Sequence, residues 1–156
     1  MKIKAAIIGT GIGIKHFNAI ENYKGSKVKV ICEKNKSKIK LLKKKYPNKI
    51  ITSDEKLIYS DKDINLVSIA SYDNFHFNQI IKSIKSKKNI IVEKPMCLNE
   101  KQLKKIYDLI NKKKHLNITS NLVLRVNSLF KHFKKLINKK KIYYIEADYI
   151  WGRRSK

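Results

Sequence analysis

The sequence predicts an α/β protein built on a doubly wound parallel sheet. Short apolar, β-branched segments alternate with longer segments in which apolar residues recur at helical spacing, which is the pattern of βαβ units. A glycine cluster, Gly9, Gly11 and Gly13, lies between the first apolar segment and the first helical one, where folds of this class turn tightly. The 156 residues have room for one ordinary domain of this kind but hardly for two.

Six strands and five crossover helices are predicted along the first 121 residues. The predicted strands are residues 3–8, 28–32, 49–52, 65–70, 89–93 and 117–121. The predicted helices are residues 14–23, 37–46, 55–59, 75–85 and 100–111. The last helix follows Asn99, and Gln102 three residues on completes a capping-box pattern. Its apolar face comprises Leu103, Ile106, Tyr107 and Ile110.

The pattern changes after residue 121. A further helix is predicted over residues 128–138, with an apolar stripe of Leu129, Phe133, Leu136 and Ile137. A long alternating, aromatic-rich strand is predicted over residues 142–151. We therefore expect residues 1–121 to form the sheet domain and residues 122–156 to be the incomplete start of an α+β second domain. An edge strand of this kind needs cover, so a second copy of the chain or a complementary C-terminal fragment is an expected partner.

The charge balance is strongly basic but does not indicate specific nucleic-acid binding. Lys and Arg number 37 against 12 Asp and Glu, for a formal net charge of +25. Arginine occurs only at Arg125, Arg153 and Arg154, and the lysines are scattered along the sequence in short runs. Because base-reading and bidentate phosphate contacts favour arginine, we expect only weak, non-specific attraction to nucleic acid.

Cysteine content and hydropathy predict a soluble, cytoplasmic chain. Cys32 and Cys97 are the only cysteines, too few for a disulfide scaffold and without the CxxC spacing of a metal or redox site. No apolar stretch approaches the ~20 residues of a membrane span. The apolar N-terminal stretch also lacks the cleavage site of a signal peptide. We expect no metal site and no membrane partner.

The glycine cluster is the first candidate site. Its residues are Gly9, Thr10, Gly11, Ile12 and Gly13. They lie where the pyrophosphate of a dinucleotide meets backbone N–H groups and the positive end of a helix, and a Cβ would block that close approach. Glu33 ends the second strand at the spacing of a ribose-binding acid, and its alternative role is an ordinary exposed carboxylate.

Two further candidate segments follow the fourth and fifth strands. Ser71, Asp73 and His76 begin a helix after the fourth strand, where Asp73 or Asn74 has the simple alternative role of an N-cap. Glu93-Lys94-Pro95 follows the fifth strand, and its simple alternative is a charged strand end stopped by proline. Both segments lie at the carboxyl edge of the sheet, next to the point where the strand order reverses and ligands of such folds bind.

The motifs of this chain occur in the order of a known family. A glycine loop is followed by Gly-x-x-His ending at His16, by the acidic strand end, by Ala70-Ser71 before His76, and by Val92-Glu93-Lys94-Pro95. Asn121-Leu-Val-Leu-Arg125 and Tyr149-Ile-Trp-Gly-Arg153 come later. In this series the chain resembles the Gfo/Idh/MocA oxidoreductases, whose first domain is an NAD(P)-binding Rossmann domain. The resemblance covers the whole chain, and the Glu-Lys-Pro triplet is its specific part.

The resemblance implies an oxidation or reduction that depends on NAD or NADP and acts on a small molecule, namely a sugar, a cyclic polyol or a related carbonyl compound. By the same resemblance the loop residues cradle the pyrophosphate and Glu33 binds the adenosine ribose. A carboxylate there favours NAD over NADP, although Lys34 weakens that preference. The residues expected along the nicotinamide side are Ser71, Asp73, His76, Glu93 and Lys94.

The resemblance also supplies a catalytic residue. Lys94 is expected to take the proton of the substrate hydroxyl while the cofactor carries the hydride. Lys94 and Arg125 are both expected to bind substrate. For Arg125, the alternative is an ordinary surface cation.

Two departures from the family pattern leave other functions open. The loop is one residue shorter than G-x-G-x-x-G, so Ile14 stands at the regular third-glycine position. The family's further catalytic histidine and most of its substrate pocket would lie beyond Lys156, which predicts a truncated or split member; His115 and His132 are expected to be surface residues. The alternatives are a stand-alone nucleotide-binding or interaction module without catalysis, and a nucleic-acid-binding protein with a vestigial loop.

Overall fold

The first part of the chain forms the predicted six-stranded parallel sheet in the computed structural model, which describes residues 2–113, 115–138 and 140–148. The strands are β1 (Ile3–Ile8), β2 (Ser26–Cys32), β3 (Ile50–Thr52), β4 (Leu66–Ile69), β5 (Asn89–Val92) and β6 (Ile118–Ser120). Their order across the sheet is β3-β2-β1-β4-β5-β6. The order reverses between β1 and β4, and open α/β sheets bind their ligands in the crevice at such a reversal.

Five helices connect the strands, because each parallel pair needs a crossover connection. They are α1 (Gly13–Asn22), α2 (Lys36–Lys45), α3 (Lys56–Ser60), α4 (Asp73–Lys85) and α5 (Glu100–Asn111). The predicted bounds of these strands and helices agree with the observed ones to within about two residues, as expected for frayed ends. Over the described ranges, no helix is long and apolar enough to cross a membrane.

The sheet is buried on both faces, which is why its strands read as nearly continuous apolar runs. Successive residues of β1 point to opposite faces and join different clusters. One cluster lies against α1 and α2 and includes Ala5, Ile7, Phe17, Ile20 and Leu42. The other lies against α3, α4 and α5 and includes Ala6, Ile8, Ile58, Ile80, Ile84 and Ile106. The carboxyl edge of the sheet is therefore held by helices from both sides.

Helix α5 begins as its capping-box pattern predicts. The backbone N–H of Gln102 donates to Asn99 Oδ1 at 3.0 Å, which satisfies one of the free donors of the first turn. Gln102 Oε1 in return accepts the backbone N–H of Leu98 at 3.0 Å, one residue before the cap. This cap fixes where the chain leaves the β5 end and enters α5.

The apolar face of α5 differs from the predicted one. Ile106 is buried and Ile110 is half-buried, but Leu103 and Tyr107 are 50% and 63% exposed. The helix packs on the core through Ile106, Leu109 and Ile110 instead. Spacing alone defines an apolar stripe about one third of the helix circumference in width. The angle at which the helix docks decides which edge of that stripe contacts the sheet.

The chain divides into two units, Met1–Asn121 and Leu122–Lys156. The second unit contains a 3₁₀ turn (Val123–Val126) and helix α6 (Ser128–Ile137), which Asn127 caps by accepting the N–H of Leu129 at 2.9 Å. The predicted strand over 142–151 is not formed by residues 142–148, and residues 149–151 lie outside the described part. A strand needs a hydrogen-bonded neighbour, and alternation of apolar residues does not supply one.

The sheet is tightest where the end of β1 passes the end of β4. Gly9 has φ +86°, and a Cβ built on it would lie 2.5 Å from the carbonyl oxygen of Ala70. Gly13 at the start of α1 is also enclosed, since its Cβ would lie 3.0 Å from Ile7 Cγ2. Glycine at these two positions allows β1, β4 and α1 to approach one another closely.

Replacement of Gly9 by Ala should destabilise the fold more than replacement of Gly25 by Ala. Both glycines have positive φ, +86° and +84°, so both variants pay the strain of the left-handed region, about 1–2 kcal/mol. Only at Gly9 does the new methyl group also meet backbone atoms, because at Gly25 no atom of the described residues beyond its neighbours in the chain lies within 4 Å. Urea unfolding should show an additional loss of about 1–3 kcal/mol for Gly9→Ala. Equal losses for the two variants would contradict the close approach.

Candidate functional site

A cleft of about 1110 Å³ lies at the carboxyl edge of the sheet, where β1 and β4 separate. The glycine loop lines it with Gly9, Thr10 and Gly11, and the end of β4 lines it with Ala70, Ser71 and Tyr72. The end of β2 contributes Cys32, Glu33, Lys34 and Asn35, and side chains of α3 and α4 complete the wall. This volume is at the upper end of ordinary small-molecule sites, so it has room for an extended ligand such as a nucleotide.

The shorter glycine loop keeps the three roles that glycines have in a dinucleotide-binding turn. Gly9 makes the tight passage beside Ala70, and Gly13 allows α1 to pack closely on Ile7. Apart from the neighbours of Gly11 in the chain, no atom of the described residues lies within 4 Å of its Cβ position, so this side is open to a ligand. The packing role of the third glycine is thus filled by Gly13 and not by Ile14, the residue at the regular position.

Glu33 holds the glycine loop against the end of β2. Its Oε2 accepts the backbone N–H of Thr10 at 3.2 Å and also the Thr10 hydroxyl, and its Oε1 accepts the backbone N–H groups of Lys34 at 2.8 Å and Asn35 at 2.9 Å. Burial opposes ionisation of this carboxyl, but the hydrogen bonds from Asn35 and Thr10 outweigh it and lower the pKa of Glu33. All four lone-pair positions of the carboxylate are occupied by protein donors.

The thiol of Cys32 lines the cleft beside this carboxylate. Burial, with a smaller contribution from the negative charge of Glu55, raises the pKa of Cys32 to about 12. The side chain is therefore a neutral thiol at neutral pH, and the nucleophilic thiolate form is negligible. Cys32 contributes shape to the cleft, not reactivity.

The residues after β4 have separate environments. Ser71 lines the cleft and donates its hydroxyl to Gln79 Oε1 at 2.7 Å, while Gln79 Nε2 donates to Glu55 at 2.8 Å. Asp73 is exposed as the first residue of α4. His76 is fully buried, with its Nδ1 2.7 Å from the carbonyl oxygen of Pro95 and its Nε2 3.1 Å from that of Ser71. In this arrangement His76 joins the β4 end to the turn after β5, and its direct contact with a nicotinamide stays a prediction.

Glu93, at the end of β5, is the centre of a side-chain network. Its Oε1 lies 2.8 Å from His16 Nε2 and accepts the Asn121 amide at 2.6 Å, while His16 Nδ1 lies 2.6 Å from the hydroxyl of Ser68. Burial opposes ionisation of Glu93, but hydrogen bonds from Asn121 and His16 outweigh it and lower the pKa of Glu93. The network joins α1, β4, β5 and the end of β6.

Lys94 and Arg125, the two predicted substrate-binding residues, are both exposed. Lys94 follows Glu93 directly, at the sheet edge that also carries the glycine loop. Arg125 belongs to the second unit, in the 3₁₀ turn. Ile12, another predicted loop residue, is 42% exposed beside the start of α1.

Sequence reasoning missed the partners of the predicted residues. Ser68, Gln79 and Glu55 carry no motif of their own, so nothing in their spacing indicates a role. His16 and Asn121 were visible as parts of longer motifs, and their hydrogen bonds to Glu93 explain why those motifs contain a histidine and an amide. The available signal was the Gly-x-x-His spacing, which puts the imidazole one turn into α1, on the side that faces β5.

The fold and the site together define a class of protein. A parallel sheet in the order 3-2-1-4-5-6, with a glycine loop at its switch point and an acid at the end of β2, is a dinucleotide-binding Rossmann domain. The model of the oxidoreductase family with an NAD-binding Rossmann fold, GFO_IDH_MocA, matches residues 3–121. The chain therefore belongs to the Gfo/Idh/MocA oxidoreductase family.

Curated relatives of the chain are oxidoreductases. It is 32% identical over 91 residues to the uncharacterized oxidoreductase YhhX of Escherichia coli (strain K12), and the match covers 58% of this chain and 26% of YhhX. It is 32% identical over 99 residues to the uncharacterized oxidoreductase YrbE of Bacillus subtilis (strain 168), and the match covers 63% of this chain and 29% of YrbE. The chain spans about a quarter to a third of the length of such relatives.

Solved structures share the fold at low identity. Scyllo-inositol dehydrogenase from Lactobacillus casei, solved with bound cofactor NAD(H) and scyllo-inositol, matches with a TM-score of 0.81 and 22% identity over 89% of this chain and 42% of that chain. An oxidoreductase from Agrobacterium radiobacter, solved with NAD+, L-tartaric acid and magnesium, matches with a TM-score of 0.79 and 18% identity over 88% of this chain and 40% of that chain.

Replacement of Glu93 by Gln should remove part of the acid sensitivity of the fold. Because the folded-state pKa of Glu93 lies below its ordinary value of 4.5, its ionised form stabilises the fold above that pH, and this contribution is lost as the pH falls through the folded value. Glu93→Gln should be less stable than the wild type by about 1–3 kcal/mol near neutral pH, and the difference should shrink on acidification. Urea unfolding at several pH values measures this.

Asp108→Asn is the matched control for that series, since Asp108 is exposed on α5. Its stability difference from the wild type should stay small at every pH. A Glu93→Gln difference that does not change between neutral and acidic pH would show that the carboxylate charge does not stabilise the network.

Proposed function

We propose that this chain binds NAD or NADP in the cleft and belongs to an enzyme that moves hydride between the nicotinamide and a sugar, a cyclic polyol or a related carbonyl compound. The observation that carries the proposal is the open side of Gly11 at the mouth of a 1110 Å³ cleft. The inositol dehydrogenase from Lactobacillus casei and the tartrate-bound oxidoreductase support the substrate class by analogy of fold.

The residues of the cleft fit a dinucleotide. Gly11 leaves space for phosphate oxygens beside the backbone, and the N-cap residue of α1, Ile12, provides no side chain to occupy the free N–H groups of the first turn. Those N–H groups and the helix dipole suit a pyrophosphate. The formal charge of +25 also favours approach of an anionic ligand.

Glu33 would bind the adenosine ribose, and the geometry indicates how. Since protein donors occupy all four of its lone-pair positions, a ribose hydroxyl has to displace one of them, and the Thr10 hydroxyl is the donor that can rotate away. An ionised carboxylate at this place repels a 2′-phosphate, which favours NAD over NADP. Lys34 Nζ donates to the carbonyl oxygen of Ser53 at 2.8 Å and keeps its positive charge, which opposes this preference.

The proposed mechanism assigns the proton to Lys94. A dinucleotide held by the glycine loop would supply the hydride acceptor or donor. When hydride leaves a carbinol carbon, the hydroxyl proton must leave too, and Lys94 Nζ as a neutral amine would accept it; in the reverse direction the ammonium would return it. Glu93 and His76 would hold the Lys94 turn in place, and Ser71 would line the nicotinamide side. Arg125 would bind substrate.

A stand-alone nucleotide-binding module is the second candidate. The exposure of Lys94 favours it, because a catalytic amine works in a site from which water is excluded. In that case the cleft would bind the nucleotide without turnover, and Lys94 would have no catalytic role.

Replacement of Gly11 by Val should abolish cofactor binding without unfolding the protein. A Cβ at this position has open space around it, and the two methyl groups of valine would extend into the space assigned to the pyrophosphate. Calorimetric titration with NADH and separately with NADPH should give saturable binding to the wild type and a loss of at least about 100-fold in Gly11→Val. Gly11→Ala should lie between them. Unchanged affinity in folded Gly11→Val would overturn the assignment of the loop.

Replacement of Lys94 by Ala distinguishes the two candidate functions. Its NADH affinity should stay within about threefold of the wild type, because the lysine is assigned to proton transfer. In a reconstituted form that includes a complete second domain, turnover of NAD with a panel of inositols, aldoses and hydroxy acids should fall by about 100-fold or more. Binding of NADH with no turnover of any panel member by the reconstituted wild type would favour the nucleotide-binding module. Equal losses of affinity and rate in Lys94→Ala would refute the assigned proton transfer.

A further inference from the structure

Two histidines hold the turn that carries Lys94, one on each side. The turn is Glu93-Lys94-Pro95, between β5 and α5. On one side the Glu93 carboxylate is bound by His16, and on the other the Pro95 carbonyl lies 2.7 Å from His76 Nδ1. The backbone of Lys94 is therefore fixed at both neighbouring residues.

The His16 side of this arrangement is built from residues far apart in sequence. His16 comes from α1, and its Nδ1 lies 2.6 Å from the hydroxyl of Ser68 in β4. Ser68 is fully buried. Its Nε2 lies 2.8 Å from Glu93 Oε1, which also accepts the Asn121 amide at 2.6 Å. The side chains of His16 and Glu93 are only 12% and 13% exposed. A buried carboxylate with two such partners has one orientation.

The same imidazole connects the turn to the glycine loop. His16 lies three residues after Gly13, in the first turn of α1, whose N-terminus follows Gly11. His16 and Glu93 thus link the start of α1 to the Lys94 turn. A bound pyrophosphate would contact the first of these and a bound nicotinamide the second. Loss of the imidazole breaks this link without touching either ligand group.

We propose that His16 is a positioning residue: acting through Glu93, it holds the Lys94 turn in the position that the nicotinamide half of the cofactor binds. This rests on the proposed function, since it takes for granted that a dinucleotide lies along the cleft. The competing role is purely structural, in which His16 only stabilises the packing of α1 on the sheet.

Two ligands separate these roles. NADH and ADP-ribose share the adenosine, the pyrophosphate and the second ribose, and only NADH has the nicotinamide ring. Calorimetric titration gives the dissociation constant of each ligand. The ratio of the ADP-ribose constant to the NADH constant measures what the ring adds to binding. In His16→Leu, ADP-ribose affinity should stay within about threefold of the wild type, and the ratio should fall by at least about fivefold. His16→Gln, whose amide N–H can again donate to Glu93, should recover most of the ratio.

Controls keep the two proposals distinguishable. His132→Leu, on the exposed surface of α6, should leave both affinities unchanged. Asn121→Ala removes the other donor to Glu93 and should lower the ratio in the same direction, which covers the case in which His16→Leu does not fold. Equal weakening of both ligands, or a wild-type ratio near one, would overturn the positioning role. Failure of the wild type to bind either ligand would refute the proposed function itself.

Discussion

The backbone contact between Gly9 and Ala70 sets the geometry on which the site depends. A Cβ at Gly9 would lie 2.5 Å from the Ala70 carbonyl oxygen, so the ends of β1 and β4 approach as closely as they do only because that atom is missing. This approach lies at the point where the strand order reverses. The chain turns there into α1, whose own close packing on Ile7 depends on Gly13, and the space left above Gly11 becomes the mouth of the cleft. The missing side chains of this loop thus define both the packing of the sheet and the binding surface.

Two acidic residues stabilise the loops around that surface. Glu33 binds the glycine loop through Thr10, and Glu93 binds α1 and β6 through His16 and Asn121. In both cases burial opposes the charge and hydrogen bonds outweigh it, so the carboxylates remain ionised at neutral pH. A carboxylate that is already satisfied by the protein has a fixed position, and that position is what a ligand would meet. Both acids therefore have a structural role that does not depend on a bound ligand.

Local features of this fold were predictable from the sequence, and contacts between distant segments were not. The strands are short Ile- and Val-rich runs because both faces of a parallel sheet are buried, and the Asn99 cap of α5 involves residues three apart. The outward position of Leu103 and Tyr107 depends on how α5 docks, which spacing does not contain. The bond from His16 to Glu93 spans 77 residues, and the bond from Thr10 to Glu33 spans 23 and comes from another strand end. The sequence marks such residues as candidates, and only the folded sheet brings their partners within reach.

In the proposed function, the glycine loop and the Lys94 turn form one dinucleotide site. The most direct test is a titration of the ¹⁵N-labelled chain with NADH, followed through its assigned backbone amide resonances. If they form one site, the largest shifts should occur at Gly11, Ile12 and Gly13, and Lys94 should shift with NADH but not with ADP-ribose. Shifts confined to the lysine-rich surface of α2, with the loop unchanged, would contradict the proposed function and leave only non-specific attraction of an anion to a basic protein.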